Sequence, residues 1–212
     1  KKSIIGLERH SEMFDMMGFE PSFENKINIH IGGMYGDAQA TANRWIQAWM
    51  SLSDNLKKRL VIENDDKPGM WSVQMLYDYF YTVIGIPITF DYFHHTFHTD
   101  GLTEEEALLL AATTWPEGIT QCTHYSESRR EEKKRILMEM CDNNNIDFDS
   151  LDDWPTFGKL KKDWEKIRAT AHADYCKQPI NTYGLDIDIM LEAKAKENAL
   201  LESIKINKEI LI

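Results

Sequence analysis

Short apolar stretches recur along this chain, and each of them stops at a side chain able to bind a metal ion. Ile27-Asn28-Ile29-His30, Leu60-Val61-Ile62-Glu63, Ile88-Thr89-Phe90-Asp91 and Ile119 to His124 all end in this way, and their ends are spaced by roughly 30 residues. Leu185 to Leu191 runs into Glu192 about two such lengths later. Helical patterns fill the intervals. Ser3 to Met17 carries Ile4, Leu7, Phe14 and Met17 at helical spacing, and Asp37 to Leu52 sets Trp45 and Trp49 one turn apart. Ser72 to Ile84, the run capped by Thr103 and Glu106 through Ala112, Ser128 to Cys141, Lys159 to Ala171 and a last helix opening at Ala193-Lys194-Ala195-Lys196-Glu197 complete the series. Strand and helix in strict alternation imply parallel strands joined by right-handed crossovers. A repeat of about 31 residues is that of one unit in an eight-fold βα barrel, where the carboxyl ends of all strands meet on one face.

The expected fold is therefore α/β and TIM-barrel-like, an incomplete (β/α)8 arrangement with about five parallel strands alternating with helices. Residues 1–212 are expected to form a single domain, interrupted by an acidic insertion loop at 142–158 that is rich in Asn and Asp. No apolar run reaches the length of a membrane span and the N-terminus does not read as a signal peptide, so a soluble intracellular protein is expected. Cys122, Cys141 and Cys176 are odd in number and lack paired spacing, which fits a reducing compartment. A formal charge of −11 argues against nucleic-acid binding through a basic surface. Bound divalent cations would weaken that objection, because each places two positive charges where a phosphate would lie.

Glu63-Asn64-Asp65-Asp66 concentrates acids where a buried strand emerges. Clustered carboxylates repel unless hydrogen bonds, basic groups or metals compensate them. Taken alone, the run reads equally well as a solvated turn whose Asn and Asp cap the next helix. Convergence with His30, Asp91, His124 and Glu192 favours a multi-metal site.

These residues also carry a family resemblance. His30-Ile31-Gly32-Gly33 with Tyr35-Gly36, Glu63-Asn64-Asp65-Asp66, Phe90-Asp91 before His94-His95, Thr114-Trp115-Pro116, His124-Tyr125-Ser126, His172-Ala173-Asp174-Tyr175 and Glu192 to Glu197 resemble, in order, the motifs of the UV damage endonuclease family. The resemblance implies a metal-dependent repair nuclease that nicks damaged double-stranded DNA 5′ to ultraviolet photoproducts. It implies Glu63 bridging two ions, His30 on the first and Asp91, His124 and Glu192 on the second. His94 and His172 would hold a third, with Asp174 beside them. Glu63, Asp91, His124 and Glu192 then form the catalytic set. Up to three divalent ions are expected, and imidazole mixed with carboxylate suits manganese or zinc better than magnesium. Tyr35 is the aromatic expected to touch DNA, and no obligate protein partner is implied.

Two departures qualify the resemblance. The family barrel begins with about three further strands, one ending in a His-Pro-x-Gln motif, so this chain is expected to be the C-terminal five strands of the barrel, with open sheet edges prone to self-association. Cys122 stands two residues before His124 where the family often has lysine, and reads either as a thiolate near the metals or, more simply, as a small apolar filler. Two alternative functions remain: a divalent-metal sugar isomerase or epimerase on the same barrel, or an inactive truncated barrel. Arg129-Arg130 and Lys133-Lys134, with Glu131 and Glu132 between them, read as a solvated helix face with internal ion pairs, and His95 as a loop hydrogen-bonder.

Overall fold

In the computed structural model, which describes residues 2–208, strand and helix alternate as the periodicity requires. Helix α1 (Lys2–Met16) precedes β1 (Ile27–His30), and α2 (Ala38–Met50) with the short α3 (Asp54–Lys57) leads to β2 (Leu60–Glu63). The next helix is made of α4 (Val73–Leu76), a π turn (Tyr77–Tyr81) and α5 (Thr82–Ile84), and is followed by β3 (Ile88–Asp91). After α6 (Tyr92–His95) and α7 (Glu104–Ala112) come β4 (Gln121–Tyr125), α8 (Arg129–Asn143), a 3-10 turn (Phe148–Asp153), α9 (Pro155–Glu165), β5 (Ile187–Leu191) and α10 (Glu197–Ile206). No helix of the described residues is long and apolar enough to cross a membrane.

The five strands lie in sequence order, β1-β2-β3-β4-β5. β1 with β2, β2 with β3 and β3 with β4 are parallel pairs. Register decides what this order does for function. His30 is level with Glu63, and Asp91 is level with His124, so strand-ending ligand types arrive side by side at the carboxyl edge. The described residues gather into two compact units, 2–124 with 183–189 and 125–182 with 190–208; the division falls within β4 and β5.

In the first unit β2 and β3 are buried along their whole length, as strands covered on both faces should be. Phe80 is inaccessible and wedged edge-on between Trp45, 5.3 Å away, and Trp71, 4.9 Å away. Side-chain caps fix where helices begin. Asp37 accepts from Ala40 N, Ser53 from Leu56 N and Ser72 from Met75 N, while Thr103 and Glu106 close a capping box. Gly85 ends α5 in the left-handed region, at φ 67°. The π turn interrupts what the sequence reads as one regular helix. That widened turn brings the Tyr77 and Tyr81 rings to 5.1 Å on one side while Phe80 enters the core on the other.

In the second unit the acidic segment is less of a loop than its composition suggests. Helix α8 runs on to Asn143, Asp147 caps the 3-10 turn by accepting from Asp149 N, and α9 starts at Pro155, whose ring fixes the dihedral a first helical residue needs. Its few apolar residues anchor it. Leu151 and Ile146 are buried with Leu137 and Cys141, and Phe148 and Phe157 pack against them.

Candidate metal centre

Within the first unit, the carboxylate of Glu63 is the hub. Its side chain is 3% exposed, and its two oxygens face different neighbours. Oε1 lies 3.4 Å from His94 Nδ1 and 3.7 Å from His30 Nε2. Oε2 lies 3.3 Å from His124 Nδ1 and accepts a hydrogen bond from Asn28 Nδ2. Asp91 Oδ2 is 3.5 Å from His94 Nδ1, and Asp65 Oδ1 is 3.0 Å from His30 Nδ1. His30, Glu63 and His94 can each offer one ligand atom with all three atoms within 4.8 Å of one another, and Glu63, Asp91 and His124 can do the same.

Electrostatics show what holds three acids together. Burial pushes the Glu63 carboxyl up, yet the hydrogen bonds from His124 and His94 and the nearby imidazole charges outweigh it and leave the group well below the usual carboxylate range. Burial also opposes charge on His94, but its bond to Glu63 and the charges of Asp91 and Glu63 lift it to about 9. His30 is raised as well, chiefly by its hydrogen bond to Asp65. Protonated imidazoles thus neutralise the acids, a task that divalent cations perform with the same side chains as ligands. Imidazole nitrogen with carboxylate oxygen is a donor set such ions take. Asp65 Oδ2 is moreover buried without a hydrogen-bond partner, a condition native interiors rarely leave unanswered. The residues present fit divalent metal ions.

Cys122 packs with Val61 and Trp115, and Phe23 and Ile119 close over them, which is the environment of an apolar filler. His95 is buried, with Nε2 3.2 Å from Leu102 O. Tyr35 stands at 87% exposure in the loop after β1, with φ 54°, the left-handed region that a bulky residue seldom enters. The loop beneath it is pinned: Trp71 Nε1 donates to Gly32 O at 2.7 Å, Met34 N to Gly69 O at 3.0 Å, and Thr41 Oγ1 to Met34 O at 2.8 Å.

The second unit carries the other expected ligands. His172 Nδ1 is 3.3 Å from Glu192 Oε2 and 3.1 Å from Glu192 O, and Ser126 Oγ donates to that same carbonyl at 2.9 Å. Asp174 is differently engaged. Its Oδ2 accepts from Lys133 Nζ at 2.6 Å, and Arg129 Nε is 3.9 Å from Oδ1. The Lys133 bond holds Asp174 below the ordinary carboxylate range and raises Lys133 in return. Glu132 turns inward at 4% exposure and accepts from the backbone of Asp174 and Tyr175. The face read as solvated thus contains one buried acid and one lysine that reaches out of its helix.

Sequence reasoning passed over Asn28 and placed Lys133 on a solvated helix face, without its bond to Asp174. Asn28 sits two residues before His30 on the same strand face, a signal that alternation alone supplies. The bond from Lys133 to Asp174 joins positions far apart in the sequence, and no local pattern announces it.

The sequence matches the family described as UV-endonuclease UvdE over residues 1–210. A UV DNA damage endonuclease of Bacillus pumilus is 29% identical over 209 residues, covering 97% of this chain and 55% of the relative. One from Clostridium perfringens is 35% identical over 136 residues, 63% of this chain and 32% of the relative. The UV-damage endonuclease of Neurospora crassa is 32% identical over 159 residues, 65% of this chain and 24% of the relative. The solved structure titled "Crystal Structure of SacUVDE" superimposes with a TM-score of 0.69 at 29% identity, covering 98% of this chain and 58% of that one. The fold is accordingly TIM-barrel-like. The chain spans about half the length of the curated relatives that it matches over nearly its whole extent.

Proposed function

The chain belongs to the UV-endonuclease UvdE family, and from that premise we propose that it acts inside the cell as a metal-dependent DNA repair endonuclease. The reaction is hydrolysis of a phosphodiester 5′ to an ultraviolet photoproduct or other lesion in duplex DNA. The observation that carries this reading is the Glu63 carboxylate, which presents one oxygen to His30 and His94 and the other to His124. A side chain so placed can bridge two cations, and phosphodiester hydrolysis is chemistry that two cations support.

Glu63, Asp91, His124 and Glu192 are the catalytic set in this reading, and His30, His94 and His172 are the further ligands. Asp174 joins them only by releasing Lys133. Manganese or zinc suits these donors. When bound, such ions supply hydroxide near neutral pH, polarise the phosphoryl oxygens and stabilise the leaving alkoxide. The chain's own residues set the stage. His94 Nδ1 lies 3.0 Å from Asn64 O, an acceptor only, so that nitrogen carries a proton and the ring is held in place by the backbone. The Glu63 and Asp91 side chains sit at the ends of fully buried strands, which holds them in place before any substrate arrives. With a formal charge of −11, the chain depends on its bound cations to receive a phosphate backbone.

Nicking assays test this reading. Irradiated and untreated duplex DNA are incubated with protein and Mn²⁺, and cleavage is expected on the irradiated duplex alone and is lost in Glu63→Gln. Uncut irradiated DNA in the presence of fully metal-loaded protein, or undiminished cutting by Glu63→Gln, would overturn it.

A further inference from the structure

Asn28 and His30 leave β1 on the same face, and Val61 and Glu63 do so on the neighbouring strand, with Asn28 level with Val61 and His30 level with Glu63. Across this pair Asn28 Nδ2 donates to Glu63 Oε2, the oxygen turned toward His124, while Oε1 is left to His30 and His94. We propose that Asn28 is a positioning residue that fixes the rotation of the Glu63 carboxylate, so that each oxygen stays with its own group of ligands. This inference rests on the metal-binding reading of the same side chains.

The terminal torsion of a glutamate is broad and roughly two-fold, so nothing intrinsic to Glu63 assigns its oxygens to different neighbours. A ring nitrogen that ligates a cation has no hydrogen to donate through that nitrogen. An amide is different: it does not titrate, and it donates at every pH. A carboxylate oxygen offers more than one lone pair, so Oε2 can accept from Asn28 and still serve a cation. Asn28 is thus a donor to Oε2 that survives loading.

A second observation separates this role from packing. Asn28 Oδ1 is buried and without a hydrogen-bond partner. Leaving a buried acceptor unmatched costs free energy that a leucine of similar size would not incur. Stability alone would favour the hydrocarbon, so the asparagine is accounted for by what its donor end does to Glu63.

The test uses metal-stripped wild type, Asn28→Leu, Asn28→Ser and Glu63→Gln, titrated with Mn²⁺ by calorimetry and examined by electron paramagnetic resonance. Wild type is expected to bind more than one ion and to show the exchange-coupled spectrum of a carboxylate-bridged manganese pair. Asn28→Leu is expected to bind manganese about 10–100-fold more weakly, to lose the coupled spectrum, and to melt no lower than wild type when metal-free. Asn28→Ser, whose hydroxyl is too short to reach Glu63, is expected to behave likewise and serves if the leucine variant does not fold. Wild-type affinity together with an unchanged coupled spectrum in either folded variant would overturn the positioning role while leaving the metal centre standing. A wild-type protein that takes up no manganese would instead remove the centre, and this proposal with it.

Discussion

The side chain of Asn64 pairs with the backbone of Asp91 in both directions: Asn64 Nδ2 donates to Asp91 O at 3.0 Å, and Asp91 N donates to Asn64 Oδ1 at 2.8 Å. A residue just past the end of β2 thereby finishes the pairing that the strand itself no longer provides at the end of β3. Asp91 sits beside Glu63 because its backbone is fastened there. Asn64→Leu should leave buried Asp91 donor and acceptor groups unmatched at a cost of about 1–3 kcal/mol each, lowering the urea midpoint with little change in slope. Asn64→Asp should be as damaging, since a carboxylate cannot donate to Asp91 O. Stability within about 0.5 kcal/mol of wild type in both variants would show that Asn64 is not the fastener.

The strands and the identity of their terminal residues were legible because burial imposes a period. β2 and β3 are buried on both faces, and their apolar runs stop abruptly at Glu63 and Asp91, so sequence alone locates both ends. What could not be read were pairings that depend on register. That Asn28 meets Glu63 follows from setting β1 level with β2, and many settings are compatible with the same alternation. Asp174 illustrates a different difficulty. Its neighbours His172 and Tyr175 belong to a family motif, whereas the lysine that engages it comes from a helix whose charge pattern resembles an ordinary solvated surface. The helical turns in the acidic segment were hidden because Asn and Asp dominate its composition, while burial of Ile146 and Leu151 decides its conformation.

The raised pKa of His94 gives a pH window of opposite sign with and without metal. Its value near 9 lies above the ordinary 6.5, so pairing with Glu63 and Asp91 stabilises the metal-free protein fully below about pH 6.5 and is lost as pH rises through 9. Metal-free protein should therefore lose stability across that interval, and His94→Gln should flatten the loss. Cations need the neutral imidazole, so loading with Mn²⁺ at about pH 8 should release protons, and metal-loaded protein should gain stability with pH over the same range. Thermal melts with chelator and with Mn²⁺, plus calorimetry in buffers of different ionisation heat, measure both effects. Identical slopes in the two states would sink the prediction.

Tyr35 combines high exposure with a left-handed backbone on a pinned loop, a costly way to present an aromatic ring to solvent. Tyr35→Ala should weaken binding of irradiated duplex by about 1–3 kcal/mol, the range for loss of one base stack, while manganese binding stays unchanged. Tyr35→Gly should weaken DNA binding equally and yet melt higher, because glycine accepts φ 54° without strain. Fluorescence anisotropy at fixed salt reads the first effect and a thermal melt the second. Unaltered DNA affinity in both variants would remove Tyr35 from the interface.

Glu132 is the least expected anchor, a buried acid in a helix rich in exposed charge. Its Oε2 accepts from Asp174 N at 3.0 Å and its Oε1 from Tyr175 N at 3.1 Å, while Glu127 O accepts from Ala173 N at 2.8 Å. Together these acceptors hold the backbone that carries His172. Glutamine at position 132 can accept through one oxygen only and would turn an NH₂ group toward an N–H, so one bond is lost and replaced by two opposed donors. Glu132→Gln should cost about 1.5–3 kcal/mol, the range for hydrogen bonds to a charged group. Because the defect is local, it should appear first as faster hydrogen exchange at the Asp174 and Tyr175 amides, with α8 still protected. Glu132→Asp, one methylene shorter, keeps both acceptors and should fall between wild type and Glu132→Gln. If exchange at those two amides is the same in all three proteins, the segment is held by the Lys133 bond to Asp174 instead, and Lys133→Met becomes the variant that loosens it.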